Sequence, residues 1–348
     1  MRVLIPDLPF SGEPEIEREG LAPLLNEPGA ALEVHRLSEH ATLPVETWRR
    51  ADAVIVASDR FHLGGEAIGQ LERCKIIVRG GVGYDNIDVA AASRRNIPVC
   101  NVPDYGTDEV ADHAIAMMLT LRRGLSSYAE YLGVDPVTGW RFDAAPLVRR
   151  MKVQNFGIVG LGRIGRAAAA RARAFGMRVL YYDPYVSETT YERKDSLDAL
   201  LADADVLSLH CPLTPDTRGL IGAAQLARMK PGSILVNTAR GPVVDIDALP
   251  AALRSGRPGG VALDVLPQEP PDPDHELIAA WRLQPTWLAG RLLLSPHAAF
   301  YSPESLHDLR FKAATTVRDA LSGAGTRHCV NKDQLDPARL LVLLNPGS

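Results

Sequence analysis

The chain has few cysteines, no excess of positive charge and no long apolar run, and each of these absences excludes a class of protein. Its four cysteines are far apart and form no C-x-x-C pair, so the pattern predicts reduced residues, mostly in the core, rather than a zinc site or disulfide framework. A formal net charge of −4 over 348 residues provides no basic surface for nucleic acid. Because no apolar run approaches the roughly 18 residues that span a bilayer, we expect no membrane segment.

The amino-terminal sequence also lacks a secretion signal. Residues 1–7 are typical of a buried strand and have neither the long apolar region nor the small-residue cleavage site of a signal peptide. We therefore expect a cytoplasmic protein. With 46% hydrophobic and 23% charged residues, the composition is that of an ordinary globular protein, and the length suits two domains.

The most informative motif is a glycine triplet in the middle of the chain, Gly160-Leu-Gly162-Arg-Ile-Gly165. An apolar run (156–159) precedes it and an alanine-rich stretch follows, which predicts a strand, a sharp turn and a helix. Glycines at this spacing allow the turn, the approach of a pyrophosphate to the backbone and close helix packing, while the helix N-terminus attracts the phosphates. The triplet, together with Arg163 and Ile164, is therefore predicted to bind a dinucleotide.

An acidic residue after the next predicted strand favours NAD over NADP. The strand covers 178–182, and Asp183 follows it, 18 residues after Gly165. A carboxylate at about this distance reaches the ribose hydroxyls of the adenosine. Because it would repel the 2′-phosphate of NADP, the predicted cofactor is NAD.

Strand-like runs alternate with helical segments on both sides of the triplet, which predicts parallel sheets covered by helices. The predicted strands are residues 3–5, 53–56, 75–78 and 97–100, followed by 156–159, 179–182, 206–210, 234–237, 261–264 and 292–294. Helices are predicted over 66–73, 89–95, 108–121 and 303–321, the last with Ser302 as its N-cap. The predicted fold class is α/β, with two doubly wound parallel-sheet domains. A Rossmann NAD-binding domain (105–297) is inserted into a flavodoxin-like substrate domain (1–104 and 298–348).

Three charged residues follow predicted strands of the second domain: Arg240, Glu269 and His297. Open α/β sheets bind ligands at these strand ends. An arginine holds a carboxylate and an adjacent carbonyl with its planar fork, and a histidine oriented by a carboxylate exchanges a proton near neutral pH. Each residue alone also fits an ordinary surface or loop position, but together they predict a catalytic set for a 2-oxo acid and its 2-hydroxy acid, without a metal. His210, at another strand end, is predicted to contact the cofactor.

Four motifs in this order resemble those of the D-isomer-specific 2-hydroxyacid dehydrogenases: residues 78–88, 160–165, 236–241 and 296–299. The resemblance covers about residues 50 to 322. Within that family the chain is most similar to the C-terminal-binding-protein branch, through residues 174–176, 182–185, 297–302 and 329–332.

The resemblance implies roles for further residues. Arg240 would hold the substrate, His297 would be the acid and base, and Glu269 its partner. The amides of Val82 and Gly83 would receive the substrate carboxylate with Arg79 nearby, although a plain tight turn also fits. The cofactor contacts would come from Thr107, Cys211, Pro212, Thr217, Thr238, Ala239 and Asp264, of which Asp264 would face the nicotinamide amide or simply cap a turn. A homodimer is implied as well, with residues 134–150 as its arm.

Two departures from the family pattern leave the substrate open. Residues 270–291 lengthen the spacing between Glu269 and His297, which we expect to form a surface excursion, and Phe300 stands where the C-terminal-binding-protein branch has a tryptophan that would line the substrate pocket. The predicted function is an NAD-dependent reductase of a small 2-oxo acid. The alternatives are an NAD(H)-sensing protein-binding scaffold resembling the C-terminal-binding corepressors, and a phosphite or formate dehydrogenase. Glu269 disfavours the formate enzyme.

Overall fold

The computed structural model describes residues 1–9, 13–37, 42–187 and 189–338, which form two compact units. The first unit is Met1–Gly106 together with the chain from Ser302 onward, and the second is Thr107–Tyr301. The sequence had placed the boundaries after residues 104 and 297. Within the described ranges, every helix is too short or too polar to cross a membrane.

Strands and helices alternate along both units. In the first they are β1 (Arg2–Ile5), α1 (Glu15–Leu25), β2 (Ala31–Val34), α2 (Val45–Arg49), β3 (Ala53–Val56), α3 (Gly65–Gly69), β4 (Ile76–Arg79), α4 (Val89–Arg94) and β5 (Val99–Cys100). In the second they are α5 (Thr107–Arg123), α6 (Leu125–Val134), β6 (Asn155–Val159), α7 (Arg163–Ala174), β7 (Arg178–Tyr182), β8 (Glu192–Arg193), α8 (Leu197–Asp203), β9 (Val206–Leu209), α9 (Ala223–Arg228), β10 (Ile234–Asn237), α10 (Leu249–Ser255), β11 (Gly260–Leu263), α11 (Glu276–Leu283) and β12 (Leu292–Leu294). Helix α12 (Pro303–Ser322) returns the chain to the first unit.

The first unit contains a parallel five-stranded sheet in the order β2-β1-β3-β4-β5, which is the flavodoxin-like order. Strands β3 and β4 are buried along their whole length, because helices cover both faces, and they read as continuous apolar runs. Strand β2 was not predicted. It lies at the edge of the sheet and is half-buried throughout, so its sequence Ala-Leu-Glu-Val shows neither an apolar run nor a clear alternation.

The second unit contains a parallel seven-stranded sheet in the order β12-β11-β10-β9-β6-β7-β8. Counted from β6, this is the Rossmann order with one additional strand next to β11. The predicted fold class is confirmed. The prediction of six strands was wrong by one, because the edge strand β8 consists of only two polar residues and has no apolar signal.

Helices α4, α5, α7 and α12 agree with the predicted segments, whereas α1, α2 and α6 lie outside them. Helix α12 starts as predicted, with the Ser302 hydroxyl accepting a 2.9 Å hydrogen bond from the amide of Ser305. Helix α3 was predicted to reach residue 73 but ends at Gly69. Glycine has the lowest helix propensity of all residue types apart from proline. Residues 270–291, which were expected to form a surface excursion, contain helix α11. This helix buries Leu277 and Ile278 and so contributes to the hydrophobic core of the second unit.

Candidate active site

Many of the predicted cofactor residues lie at one edge of the second sheet, and the predicted catalytic residues are in loops that leave the same edge. Because neighbouring strands are parallel, their carboxyl ends share an edge. The residues that directly follow these ends are Gly160 (β6), Asp183 (β7), His210 (β9), Thr238 (β10), Asp264 (β11) and Ser295 (β12). The order in which strands are added to the sheet reverses between β6 and β9, and this switch point is where such sheets bind ligands.

Each glycine of the triplet is required for a different reason. Gly160 has φ +89°, and a Cβ there would lie 2.8 Å from the amide nitrogen of Cys211. A Cβ on Gly165 would lie 2.2 Å from the carbonyl oxygen of Gly160, so helix α7 packs against the turn only without a side chain. Gly162 precedes α7 and has open space where its Cβ would be. That space leaves the backbone and the helix N-terminus, including Arg163 and Ile164, accessible to a pyrophosphate.

Asp183 is buried and anchors the glycine turn. One carboxylate oxygen accepts a 2.8 Å hydrogen bond from the amide of Leu161, and the other accepts bonds from the amides of Tyr185 and Val186. The structure thus places the predicted ribose-binding carboxylate against the predicted phosphate-binding loop. A fixed negative charge at this place is compatible with two ribose hydroxyls and disfavours a phosphate.

The loops after β9 and β10 contain buried polar atoms that have no partner in the described part of the chain. They are Nδ1 of His210 and the hydroxyl of Thr238. The other ring nitrogen of His210 contacts the Ser208 hydroxyl at 2.9 Å, and burial lowers the pKa of His210 to about 4, so its ring is neutral at pH 7. Buried polar atoms are normally paired, and a bound dinucleotide provides partners at this edge. The glycine turn and these atoms therefore fit the predicted cofactor.

The remaining predicted cofactor residues have defined local roles. Cys211 is buried, which raises the pKa of its thiol to about 11 and keeps it protonated. The Thr217 hydroxyl donates to the carbonyl of Pro212 at 2.6 Å and shapes that loop. The amide of Ala239 donates to the side-chain oxygen of Asn237, and Thr107 is the first residue of α5.

Glu269 and His297, the predicted acid-base pair, contact each other. Nδ1 of His297 lies 2.7 Å from one carboxylate oxygen of Glu269, and the other oxygen accepts from the amide of Leu266 at 2.8 Å. Both side chains are about one-quarter exposed, at 24% and 22%. The carboxylate assigns a proton to Nδ1, which leaves Nε2 available to a ligand.

Asp264 shapes the loop that carries His297. Its backbone carbonyl accepts from the amide of His297, and its carboxylate accepts from the amides of Ala298 and Ala299 at 2.9 and 3.0 Å. His297 has φ +55°, a left-handed conformation that is rare for a residue with a Cβ and is held here by these bonds. Asp264 itself is buried.

Two residues that sequence reasoning missed support Asp264. The hydroxyl of Ser295 donates to the Asp264 carboxylate at 2.5 Å and contacts Nε2 of His113 on helix α5 at 3.0 Å. Nothing in the local sequence of His113 indicates a partner 182 positions away. Only the position of Ser295 at the end of β12 was available as a signal.

Arg240 and Phe300 complete the predicted site residues of this unit. The Arg240 guanidinium donates to the carbonyl of Ala239 at 2.9 Å, and its backbone carbonyl accepts from Asn237 at 2.9 Å. The Phe300 ring meets His297 edge to face, with ring centroids 6.3 Å apart. The aromatic ring therefore lies beside the imidazole of His297.

In the first unit, Arg79, Val82 and Gly83 follow β4. Arg79 is buried, and its guanidinium donates to the carbonyls of Ala57 and Gly80. Within the ranges that the structure describes, the amides of Val82 and Gly83 donate to no protein acceptor, whereas the Val82 carbonyl accepts from the side chain of Asn101 at 2.7 Å. Two adjacent free amides next to a buried cation are suited to an anionic ligand.

A buried acid of the first unit, which the sequence did not indicate, supports the loop after β3. Asp7 accepts hydrogen bonds from the amides of Ala57 (2.9 Å) and Ser58 (2.7 Å). Burial raises its pKa to about 6, although these amides and the charge of Arg79 act in the opposite direction.

Comparison with known families and structures agrees with this geometry. Residues 115–299 match the model of the D-isomer specific 2-hydroxyacid dehydrogenase, NAD binding domain. A D-3-phosphoglycerate dehydrogenase from Archaeoglobus fulgidus is 35% identical over 82% of this chain and 53% of its own length. Two crystal structures share the fold, each with a TM-score of 0.78. One is a protein from Thermus thermophilus (34% identity, 93% of this chain and 97% of that one). The other is Aquifex aeolicus D-lactate dehydrogenase complexed with NAD and lactic acid (29% identity, 92% and 96%).

The match confirms the predicted cofactor, NAD. The chain spans about half the length of the curated relatives that it matches, 53% and 46% of two D-3-phosphoglycerate dehydrogenases.

Proposed function

Since the chain belongs to the D-isomer-specific 2-hydroxyacid dehydrogenase family, we propose that it interconverts a small 2-oxo acid and the corresponding D-2-hydroxy acid, with NAD as the redox partner. The observation that carries this proposal is the 2.7 Å contact between His297 Nδ1 and Glu269, on the sheet edge that also holds the glycine turn. Bound NAD(H) supplies the hydride acceptor or donor. The protein residues bind the acid and move the proton.

His297 is the proposed proton donor during reduction. In the imidazolium form both ring nitrogens carry protons, Nδ1–H remains bonded to Glu269, and Nε2–H passes to the carbonyl oxygen of the substrate as that oxygen becomes a hydroxyl. In oxidation neutral Nε2 takes the hydroxyl proton back. Glu269 is a positioning residue, because it orients the ring and stabilises its charged form without touching the substrate.

Arg240 is the proposed substrate clamp. Its planar guanidinium matches a carboxylate and an adjacent carbonyl oxygen, the pair of groups that defines a 2-oxo acid. We assign the substrate carboxylate also to the amides of Val82 and Gly83, supported by their lack of a protein acceptor within the described residues and by the charge of Arg79. Phe300, beside His297, is the proposed contact for the substrate side chain.

A homodimer is proposed from an exposed apolar surface on the second unit, which lies in and next to the predicted arm. Val134, Val137, Trp140 and Phe142 are between 81% and 92% exposed. Monomeric proteins rarely expose so many large apolar side chains in one segment. Analytical ultracentrifugation of the protein and of a Trp140→Glu/Phe142→Glu variant tests this: a dimer that dissociates in the variant is expected, and a monomeric wild type overturns it.

The scaffold alternative is not favoured, because the comparisons name dehydrogenases and reductases. The C-terminal-binding-protein-like branch and the cytoplasmic location stay predictions of the sequence.

The decisive experiment is NADH oxidation by the purified protein with a panel of 2-oxo acids, from glyoxylate and hydroxypyruvate to bulky aromatic and thioether acids. We expect turnover with at least one acid, a product of D configuration, and oxidation of the D but not the L acid in reverse. A protein that binds NADH but turns over none of the panel contradicts the proposal and supports an NADH-sensing role.

A further inference from the structure

Two cysteines of the first unit face each other where the carboxyl-terminal segment contacts β5. Cys100 and Cys329 form an isolated antiparallel pair, flanked by hydrogen bonds from the amide of Val330 to the carbonyl of Val99 (2.8 Å) and from the amide of Asn101 to the carbonyl of His328 (3.3 Å). This bonding pattern makes the cysteines a non-hydrogen-bonded pair, in which the Cα atoms are about 4.5 Å apart and the side chains are close. That separation lies within the range that disulfides span, about 4.4–6.8 Å.

The pair is held in register by a residue outside it. Asn331 is buried, and its side-chain oxygen accepts from the amide of Val99 at 2.8 Å while its side-chain nitrogen donates to the carbonyl of Ile97 at 3.0 Å. The same oxygen accepts from the Cys329 thiol at 3.3 Å. The segment is therefore fixed against β5 before any covalent bond exists, so oxidation requires no rearrangement of the backbone.

The two thiols have unequal reactivity. Cys100 is fully buried, whereas Cys329 is partly exposed. A hydrogen bond from the Cys100 thiol stabilises the thiolate of Cys329 and lowers the pKa of Cys329 to about 7, while the pKa of Cys100 is raised. Cys329 is thus the attacking nucleophile and Cys100 the resolving thiol. The other two cysteines, Cys74 and Cys211, are buried.

A small oxidant reaches this place through the exposed part of Cys329. A cavity of about 510 Å³ opens nearby on the first unit and is lined by Asn101, Thr326 and His328, among others, but by neither cysteine. Hydrogen peroxide is small enough to attack a partly exposed sulfur.

We propose that Cys100 and Cys329 are a modification site at which a peroxide reversibly converts two thiols into an intramolecular disulfide. The Cys329 thiolate attacks one peroxide oxygen, the O–O bond breaks, and hydroxide leaves and is protonated to water. The sulfur of the resulting sulfenic acid is then attacked by Cys100, which gives up its proton. The S–S bond forms as the S–O bond breaks, and a second water leaves. In sum, two thiols are oxidised and one peroxide is reduced to two waters; a dithiol reductant reverses the change.

The test is disulfide mapping of the intact folded protein. The protein is treated with stoichiometric hydrogen peroxide, free thiols are blocked by alkylation, and the digest is analysed by tandem mass spectrometry before and after dithiothreitol. We expect one cross-linked peptide pair, containing Cys100 and Cys329, that disappears on reduction. Alkylation of the unoxidised protein is expected to label Cys329 faster than the other three cysteines.

Two variants distinguish specific oxidation of the Cys100 and Cys329 pair from general oxidation of the cysteines. Cys329→Ser removes the nucleophile and should abolish the cross-link, whereas Cys74→Ala, a change at another cysteine of the same unit, should leave it at the wild-type yield. A wild-type protein in which Cys329 accumulates as sulfinic acid, or in which Cys100 is still alkylated when the peroxide-treated protein is unfolded, overturns the proposal. Because the wild-type mapping alone decides between these outcomes, the test does not depend on the folding of a variant.

Discussion

Asp7 in the first unit and Asp183 in the second have the same position in their sheets. Each comes after a parallel strand, is buried, and accepts amide hydrogen bonds from the loop that follows the neighbouring strand: Ala57 and Ser58 for Asp7, Leu161 for Asp183. The two carboxylates differ in what lies beside them. The charge next to Asp7 is the buried guanidinium of Arg79, whereas Asp183 is next to the glycine turn that starts helix α7.

The difference assigns a different ligand to each strand edge. A single cation and two free amides suit one small carboxylate, which the proposed substrate has. A helix N-terminus preceded by glycines suits the extended pyrophosphate of NAD. In both units a buried aspartate stabilises a loop through amide hydrogen bonds, but the ligands assigned to the two loops differ. Four substitutions test this difference between the units.

The largest expected effect comes from removing the proton-transferring group, which only the second unit provides. His297→Ala should lower kcat by about 10²- to 10⁴-fold, the usual contribution of a positioned general acid. NADH affinity, measured by fluorescence titration, should stay near the wild-type value. An unchanged kcat contradicts the assignment, and Glu269→Gln, which keeps the shape of the partner, should show a smaller loss.

The second-largest expected effect is a pH dependence of the free energy of unfolding, because the pKa of Asp7 is raised. The pKa of Asp7 is about 6 in the folded protein, against an ordinary value of 3.8. Between these two pH values the folded state therefore holds a proton that the unfolded state has lost. The corresponding stabilisation is present below pH 4 and disappears as the pH rises through 6. A shift of about two pKa units corresponds to about 3 kcal/mol.

Asp7→Asn cannot titrate and should lack this pH dependence. From pH 4 to pH 8 the free energy of unfolding of the wild type should therefore fall by about 3 kcal/mol relative to the variant. Urea denaturation at several pH values measures the difference. Parallel curves for the two proteins would mean that Asp7 titrates normally.

The corresponding change in the second unit should alter cofactor choice. Asp183→Asn removes the charge that would repel a 2′-phosphate but keeps one acceptor for the amide of Leu161. The ratio of kcat/KM for NADH to that for NADPH should fall by about tenfold or more, equivalent to about 1.4 kcal/mol. Steady-state kinetics with both cofactors measures it, and Asp7→Asn is the control that should leave the ratio unchanged.

The smallest expected effect concerns Ser295, which links His113 to Asp264 and so positions the His297 loop indirectly. Ser295→Ala removes two hydrogen bonds, one to Asp264 and one to His113. The bond to Asp264, which acts on the His297 loop, is worth about 1 kcal/mol, or roughly fivefold in kcat. KM for NADH should change little, and Ser295→Thr, which keeps the hydroxyl, should restore kcat. Equal losses in both variants would indicate a packing defect rather than a positioning role.

The accuracy of sequence-based prediction followed the strength of the local signals. Strands β3, β4 and β6 were predicted because buried parallel strands need continuous apolar residues, and α12 because a serine N-cap and Pro303 indicate its start. Edge strands β2 and β8 were missed, since an edge position allows half-exposed or polar residues. Helix α3 was predicted too long because its end depends on one glycine.

The sequence by itself determined the glycine triplet, the acid after the next strand and the identities of Arg240, Glu269 and His297, because these requirements are local or are set by residue type. Only the tertiary structure decided that His297 bonds to Glu269 and that Ser295 and His113 brace Asp264. It alone also revealed Asp7 beside Arg79, and Cys100 opposite Cys329. The physical reason is that such pairs join residues from different strands and loops, and their distance is set by strand order and register. No periodicity or spacing along the chain records either of these.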